Sequence, residues 1–441
     1  MRKTPVRLLW RRGRDGVLLY LRKSAWTIGI AQATLMTGRR PGEKSKKGLI
    51  AGDVEYSRED DTMTSPQDLP SDRSVFFKSE WVARRAILAL LAACVAAWGA
   101  PAPALAADIE LHGAGSSFVA PLMESWINDF SDIRPNVGVQ FDAVGSGEGA
   151  ARFMAGSVDF GASDVVLAPA DAAKVKRGVI QAPSTAGMIV LAYNLPGVKG
   201  HLRLPRDVYV DIFLGKIKNW DDPRLRAANP GLKLPSRSIA LICRLDSSGT
   251  TYAFTDHLAA VSPAWKQGPG VGKLINWPSA PMLARGNEGV ASRIRISEGA
   301  IGYVEYGFAL RLGLPMATLE NKEGQFVAPT PLAGTAALAS TADVGLDKLD
   351  AATTNPEGAK SYPIVTYSWL LLYRDYPQEK AAAIKAFVSY ALGDGQSEAP
   401  YFGYLPLPAK VEAASKAAIA QLGAANAATA APPANDAATP R

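Results

Sequence analysis

The chain has 441 residues, of which 48 are basic and 41 acidic, and its formal net charge is +7. The basic excess is confined to residues 1–106, which carry 18 Lys and Arg against 10 Asp and Glu, so residues 107–441 carry 30 against 31. A nearly neutral body excludes a general polyanion binder, whose affinity depends on a basic face, and we therefore expect no nucleic-acid partner.

The N-terminal part has the composition of an export signal. Residues 81–106 combine Arg84-Arg85, an apolar run and a small-x-small motif that ends at Ala106, which predicts a signal peptide and a periplasmic protein. Residues 1–80 lack sustained periodicity and are predicted to be a disordered or misannotated extension, because Met63 is a better-placed start. Lipid attachment at Cys94 is less favoured, because the sequence after Cys94 stays apolar.

The body alternates strand and helix patterns from residue 108 to residue 422. Val137, Val139 and Phe141 alternate as in a strand, whereas Leu122 and Trp126 belong to an apolar stripe at helical spacing. This alternation predicts an α/β fold. Residues 423–441 are rich in Ala, Pro, Asn and Thr and are predicted to be a disordered tail.

One local pattern recurs three times in the body: an apolar strand, a Gly/Ser loop and then a helix. It occupies residues 109–118, 137–149 and 239–250. The first turn of a helix exposes unpaired N–H groups, glycine lets the backbone approach a ligand, and Ser or Thr adds a hydroxyl donor. Although Ser and Thr are also ordinary helix caps, three such loops in a neutral chain favour an oxyanion site.

Charged residues accompany these loops. Arg244 precedes the third loop and Asp246 follows two positions later, so the carboxylate can orient a guanidinium that binds two anion oxygens. Asp164 follows a short predicted strand. No loop matches a nucleotide-binding motif, and the three histidines lack metal-ligand spacing. We therefore expect no metal, no cofactor and no catalytic residue.

Several longer strings resemble one known family. They are Gly-Ala-Gly-Ser-Ser-Phe at 113–118, Val-Asp-Phe-Gly-Ala-Ser-Asp at 158–164, Asp-Ser-Ser-Gly-Thr-Thr at 246–251, Leu-Gly-Lys-Ile-Lys-Asn-Trp-Asp-Asp-Pro at 214–223 and Gly-Ala-Ile-Gly-Tyr-Val-Glu-Tyr at 299–306. In their order along the chain, these strings resemble the periplasmic phosphate-binding protein of the high-affinity phosphate ABC transporter. The resemblance implies two α/β lobes joined by two hinge crossings, with a ligand cleft between them.

The resemblance also implies domain limits and partners. Lobe one would comprise residues 108–186 and 360–422, and lobe two residues 192–355, with crossings at 191–194 and around 355–363. The protein would be a monomer that binds inorganic phosphate and delivers it to the inner-membrane permease. A phosphate-ester hydrolase or a binder of another oxyanion remains the alternative.

The family's ligand contacts fall on residues of the three loops and on the aspartate at 164. The implied phosphate-binding residues are Ser117, Phe118 through its backbone, Ser146, Asp164, Arg244, Ser248, Gly249 and Thr250. Asp246 would orient the arginine. Ser117 replaces a frequent threonine and keeps the hydroxyl, whereas Glu148 adds a carboxylate that would repel a dianion if directed into the cleft. Asp164 is expected to accept a hydrogen bond from the protonated oxygen of hydrogen phosphate, and sulfate has no such proton.

Overall fold

The computed structural model describes residues 109–341 and 343–422. The predicted extension at 1–80, the predicted signal peptide at 81–106, Cys94 and the predicted tail at 423–441 lie outside the described residues. Within the described residues, no helix combines the length and the apolar character that crossing a bilayer requires.

Short strands and helices alternate along the described chain, as the sequence predicts. The strands are β1 (Ile109–Gly115), β2 (Val137–Asp142), β3 (Phe160–Ser163), β4 (Val179–Tyr193), β5 (Arg203–Leu204), β6 (Ala240–Arg244), β7 (Met282–Ala284), β8 (Ala300–Glu305), β9 (Thr318–Glu320), β10 (Phe326–Val327) and β11 (Val365–Tyr373). The α-helices are α1 (Ala120–Ile133), α2 (Ser146–Met154), α3 (Pro169–Ala172), α4 (Arg206–Phe213), α5 (Pro223–Ala228), α6 (Gly249–Val261), α7 (Pro263–Gln267), α8 (Gly286–Ile296), α9 (Tyr306–Arg311), α10 (Pro331–Ala339), α11 (Leu349–Thr353), α12 (Gln378–Ala391), α13 (Ala399–Phe402) and α14 (Ala409–Ala420). Short 3-10 helices cover Leu346–Lys348 and Asp394–Glu398.

Eight strands form one curled sheet in the order β2-β1-β3-β11-β4-β8-β6-β7. β1 is parallel to β2 and β3, and β6 is parallel to β7 and β8, whereas β11 and β4 run antiparallel to their neighbours. We call the part built on β1, β2, β3 and β11 lobe one, and the part built on β6, β7 and β8 lobe two. The α/β fold with two lobes is therefore the predicted one.

Strand β4 connects the two lobes without interruption. Its residues 179–188 pair with β11, and Ile189 to Tyr193 pair with β8. The change of partner occurs between Met188 and Ile189, three residues before the predicted crossing at 191–194. The exact residue limits of the lobes stay a prediction.

Each lobe has an apolar core with stacked aromatic rings. In lobe one the rings of Phe153 and Tyr373 stack with centroids 4.2 Å apart. In lobe two Phe254 and Tyr303 stack at 4.5 Å. The tryptophans at 126, 220 and 369 are fully buried, and the one at 277 is partly buried and packs against the apolar core. These cores hold the strand ends in place.

The loops predicted to carry chemistry all follow the carboxyl ends of parallel strands. Residues 116–118 follow β1, Ser146 lies just after β2, Asp164 follows β3 directly, and residues 245–250 follow β6. In open α/β sheets ligands bind in the crevice outside these strand ends. The topology therefore directs the loops of the two lobes toward one cleft.

Candidate oxyanion-binding site

Asp164 lies at the centre of the cleft and is 2% exposed. Its Oδ2 accepts a hydrogen bond from Ser116 Oγ at 2.8 Å, and its Oδ1 accepts one from Ser368 Oγ at 3.1 Å. The Ser146 hydroxyl lies 3.5 Å from Oδ2. Burial raises the pKa of Asp164 to about 6, while the hydroxyl donors and the charge of Arg244 oppose a larger rise.

Arg244 and Asp246 form a buried fork on lobe two. Arg244 Nε donates to Asp246 Oδ1 at 2.9 Å, and Arg244 Nη2 donates to Asp246 Oδ2. The side chains of Arg244 and Asp246 are 2% and 6% exposed. Burial alone would raise the pKa of Asp246, but the hydrogen bonds and charge of Arg244 outweigh it, so this pKa lies below its ordinary value. The pair therefore stays ionised, with the guanidinium held in one orientation.

Helix α6 begins inside the cleft. Ser248 caps it, since its Oγ accepts the Thr251 amide at 3.0 Å. Thr250 Oγ1 accepts from Arg244 Nη1 at 3.3 Å and donates to Asp164 Oδ2 at 3.5 Å. Gly249 allows this approach, because a Cβ there would lie 2.4 Å from Ser146 Oγ. The two lobes are thus in direct contact at this loop.

The first loop contributes two serine hydroxyls. Ser117 Oγ accepts from the backbone amide of Asn287 at 3.1 Å, so it also contacts lobe two. The Phe118 amide donates to Ser116 Oγ at 3.0 Å, and its side chain is fully buried. The second loop contributes Ser146, whose Oγ accepts the Asp164 amide at 3.2 Å. The structure therefore brings all the predicted site residues to one cleft.

The donors that converge in this cleft suit an oxyanion. Hydroxyls, helix-terminal amides and one guanidinium supply donors, and Asp164 is the carboxylate that faces them. Among the described residues, no group of His, Cys, Asp and Glu has an arrangement that could hold a metal ion.

Comparison with known proteins identifies the family. A model described as the PBP superfamily domain matches residues 100–394. The phosphate-binding protein PstS of Xylella fastidiosa is 38% identical over 307 residues, which cover 68% of this chain and 82% of that protein. PstS of Haemophilus influenzae is 39% identical over 305 residues, covering 68% and 90%. The chain belongs to the PstS family of phosphate-binding proteins.

A solved structure shows the same fold. PfluDING, a high-affinity periplasmic phosphate-binding protein determined with bound phosphate, has a TM-score of 0.59 and 20% identity, and the match covers 70% of this chain and 93% of that one. The resemblance read from the sequence motifs is therefore confirmed at the level of family and fold. PstS proteins are solute-binding proteins and not enzymes, so the expectation of no enzymatic activity is confirmed by the family.

Glu148 is the residue whose carboxylate would repel a dianion if it were directed into the cleft. Its side chain is 53% exposed and accepts from Arg152 Nε at 2.9 Å, and Arg152 also pairs with Asp142 at 2.9 Å. The carboxylate therefore lies in the first turn of α2, where the helix dipole favours a negative charge, and it is half-exposed in the wall of a cavity that Asp246 also lines.

Three residues of this PstS cleft were missed by sequence reasoning. Ser116 and Ser368 donate to Asp164, and Asn287 contacts Ser117. Asn287 had a signal, because a strand, a glycine and a helix surround it as in the other loops. Ser368 had none, since it reaches the site only through the pairing of β11 with β3 and β4.

The cleft opens to solvent beside Gly286. Two cavities of about 610 and 730 Å³ share Ala143, Arg285 and Gly286 in their walls. Asp246 lines the first cavity and Ser117 the second, so both adjoin the site. Residues of both lobes line each of the two cavities.

Proposed function

We propose that this protein captures inorganic phosphate between its two lobes and delivers it to the permease of an ABC transporter in the inner membrane. The observation that carries the proposal is the position of Asp164, a buried carboxylate surrounded by hydroxyl donors and facing Arg244. Membership of the PstS family supports it independently.

The donors would replace the water shell of the anion. Arg244 supplies the positive charge, and its fixed fork is suited to two oxygens of one tetrahedral anion. The first turn of α6 supplies unpaired amides and a favourable dipole. The proposed phosphate-binding residues are Ser117, Phe118, Ser146, Asp164, Arg244, Ser248, Gly249 and Thr250, with Asp246 orienting the arginine.

Asp164 would provide the selectivity. A carboxylate that faces an anion is repulsive unless a proton lies between them, and hydrogen phosphate brings such a proton whereas sulfate does not. An acceptor left unpaired in a buried site costs about 1–3 kcal/mol, and a site built around a hydrogen bond rejects the analogue that lacks it by about 10⁴-fold or more.

The remaining parts of the proposal concern the compartment and the assembly. We propose a periplasmic monomer, exported by the signal at 81–106, with lobe one at 108–186 and 360–422 and lobe two at 192–355. Closure of the lobes around the anion would create the form that docks on the permease. The PstS membership supports a transport role over the alternative of a phosphate-ester hydrolase.

Calorimetric titration of the purified protein with phosphate, sulfate and a phosphomonoester tests the proposal, together with a hydrolysis assay on the ester. We expect micromolar or tighter binding of phosphate, weak binding of sulfate and no hydrolysis. The proposal would be contradicted if the titration detected no binding of phosphate at micromolar concentration, or if the protein bound sulfate more tightly than phosphate.

A further inference from the structure

Asn287 joins the two lobes at the cleft and is 1% exposed. It lies in the first turn of α8, directly after Gly286, which has a φ of +64°. The Gly286 backbone N–H donates a hydrogen bond to Asp246 Oδ1 at 3.0 Å, and this contact places the start of the helix in the cleft. The Asn287 backbone amide donates to Ser117 Oγ of lobe one.

The side-chain amide of Asn287 makes three hydrogen bonds, two through its nitrogen and one through its oxygen. Its Oδ1 accepts the Glu305 amide at 3.0 Å, and since an amide N–H can only donate, this contact fixes which end of the side chain is the NH2 group. That group donates to Ser117 Oγ at 3.3 Å and to Thr250 Oγ1 at 3.2 Å. One side chain therefore binds a hydroxyl from each lobe.

These contacts determine the direction of both hydroxyl hydrogens. A hydroxyl oxygen has two lone pairs and one hydrogen. Ser117 Oγ accepts twice from Asn287, and Thr250 Oγ1 accepts from Asn287 and from Arg244. With both lone pairs occupied, each hydroxyl can act only as a donor, and Thr250 Oγ1 already donates in this way to Asp164 Oδ2 at 3.5 Å.

We propose that Asn287 is a positioning residue with two effects. Its hydrogen bonds to Ser117 and Thr250 hold the two lobes together, a contact that we call the clasp, and they orient both hydroxyls so that each donates to the anion. The proposal rests on the phosphate-binding function proposed above and deepens it. It leaves Asp164 as the acceptor among these groups, so Asn287 contributes to the selection of a ligand that carries a proton.

The first test compares Asn287→Ala with Asn229→Ala. Asn229 is a matched control, because it is also buried and also makes three side-chain hydrogen bonds, but to Arg203 and Leu225 within lobe two. We expect Asn287→Ala to weaken phosphate binding by about 10- to 100-fold in calorimetric titration, and Asn229→Ala to bind within about threefold of wild type. Equal binding by wild type and Asn287→Ala would overturn the proposal, as would equal losses in both variants.

The second test uses Asn287→Asp, which separates the hydrogen bonds that Asn287 donates to Ser117 and Thr250 from the one that it accepts from the Glu305 amide. Aspartate keeps the acceptor for the Glu305 amide but loses the donors, so the two hydroxyls would turn toward it and away from the anion. We expect Asn287→Asp to bind phosphate more weakly than Asn287→Ala. The reverse order would show that holding Glu305 is the only role of Asn287.

A double-mutant cycle with Ser117→Ala tests whether Asn287 acts through that hydroxyl. If it does, the loss in Ser117→Ala/Asn287→Ala is smaller than the product of the single losses, whereas independent effects multiply. Multiplied losses would overturn the coupling.

A final measurement needs no ligand. Small-angle scattering of the phosphate-free protein is expected to give a larger radius of gyration for Asn287→Ala than for wild type and Asn229→Ala, and equal radii would overturn the clasp. Wild-type protein that does not bind phosphate would contradict the proposed function and leave this scattering result to decide the clasp alone.

Discussion

Thr250 and Asp164 approach each other from different lobes, with Thr250 Oγ1 3.5 Å from Asp164 Oδ2. The same threonine oxygen lies 3.3 Å from the Arg244 guanidinium. A donor, a cation and an acceptor thus converge on one small volume that neither lobe encloses alone. For this reason we expect anion binding and lobe closure to be coupled.

Asp164→Asn is expected to reduce the preference for phosphate over sulfate by about 100-fold or more, because the amide can donate to an anion that carries no proton. Competition titration with both anions measures this ratio. Asp211→Asn is the control, since Asp211 pairs with Lys216 and Arg224 outside the cleft. An unchanged ratio in Asp164→Asn would remove the selective role from this carboxylate.

The same substitution is expected to change the stability of the phosphate-free protein in a pH-dependent way. The pKa of Asp164 is raised from 3.8 to about 6 by burial, so the folded state binds more protons than the unfolded state between these values. Ionised Asp164 therefore destabilises the fold as pH rises through this window, by up to about 3 kcal/mol above it.

Denaturant unfolding of both proteins across pH 4 to 8 measures this effect. Asp164→Asn should be more stable than wild type above about pH 6, and the difference should shrink toward the unfolded-state pKa. A constant difference across this range would show that Asp164 does not titrate as described.

Arg244→Lys is expected to weaken phosphate binding by about 10- to 100-fold, because a lysine cannot keep the two-point contact with Asp246 and present a second pair of donors to the anion. Arg224→Lys is the matched control, because Arg224 also pairs with two carboxylates, those of Asp211 and Asp222, but on an exposed surface. Calorimetry on both variants is sufficient. Comparable losses would show that the guanidinium geometry of Arg244 has no specific role in phosphate binding.

Gly249→Ala is expected to lower phosphate affinity strongly, since the new Cβ would lie 2.4 Å from Ser146 Oγ and 2.8 Å from Asp164 Cβ and would force the lobes apart. Gly231→Ala is the control, because a Cβ at Gly231 meets no atom within 4 Å. Normal phosphate affinity in Gly249→Ala would show that the lobes close less tightly in solution.

Much of the site follows local patterns, and these were predictable. A strand, a Gly/Ser loop and a helix N-terminus are encoded by neighbouring residues, so the loops that contain Ser117, Ser146 and Thr250 were predictable from the sequence, and the family resemblance then implied these three residues. Asn287 has the same surroundings, but its strand is only three residues long and gave a weak pattern.

Other parts depend on pairings between distant segments. Ser368 is 204 positions from Asp164 and reaches it through the antiparallel pairing of β11, with a register shift between Ser368 and Trp369. No local pattern contains this register. The order of the sheet, in which β11 and β4 separate two parallel halves, is likewise a property of the complete fold.

The uninterrupted course of β4 has a consequence for protein engineering. A single lobe expressed with the whole of β4 would present half of this strand without its hydrogen-bonding neighbour, a bare edge that favours self-association. Fluorescent reporters or permuted termini should therefore be introduced at surface loops such as the one around Gly231, and not within β4.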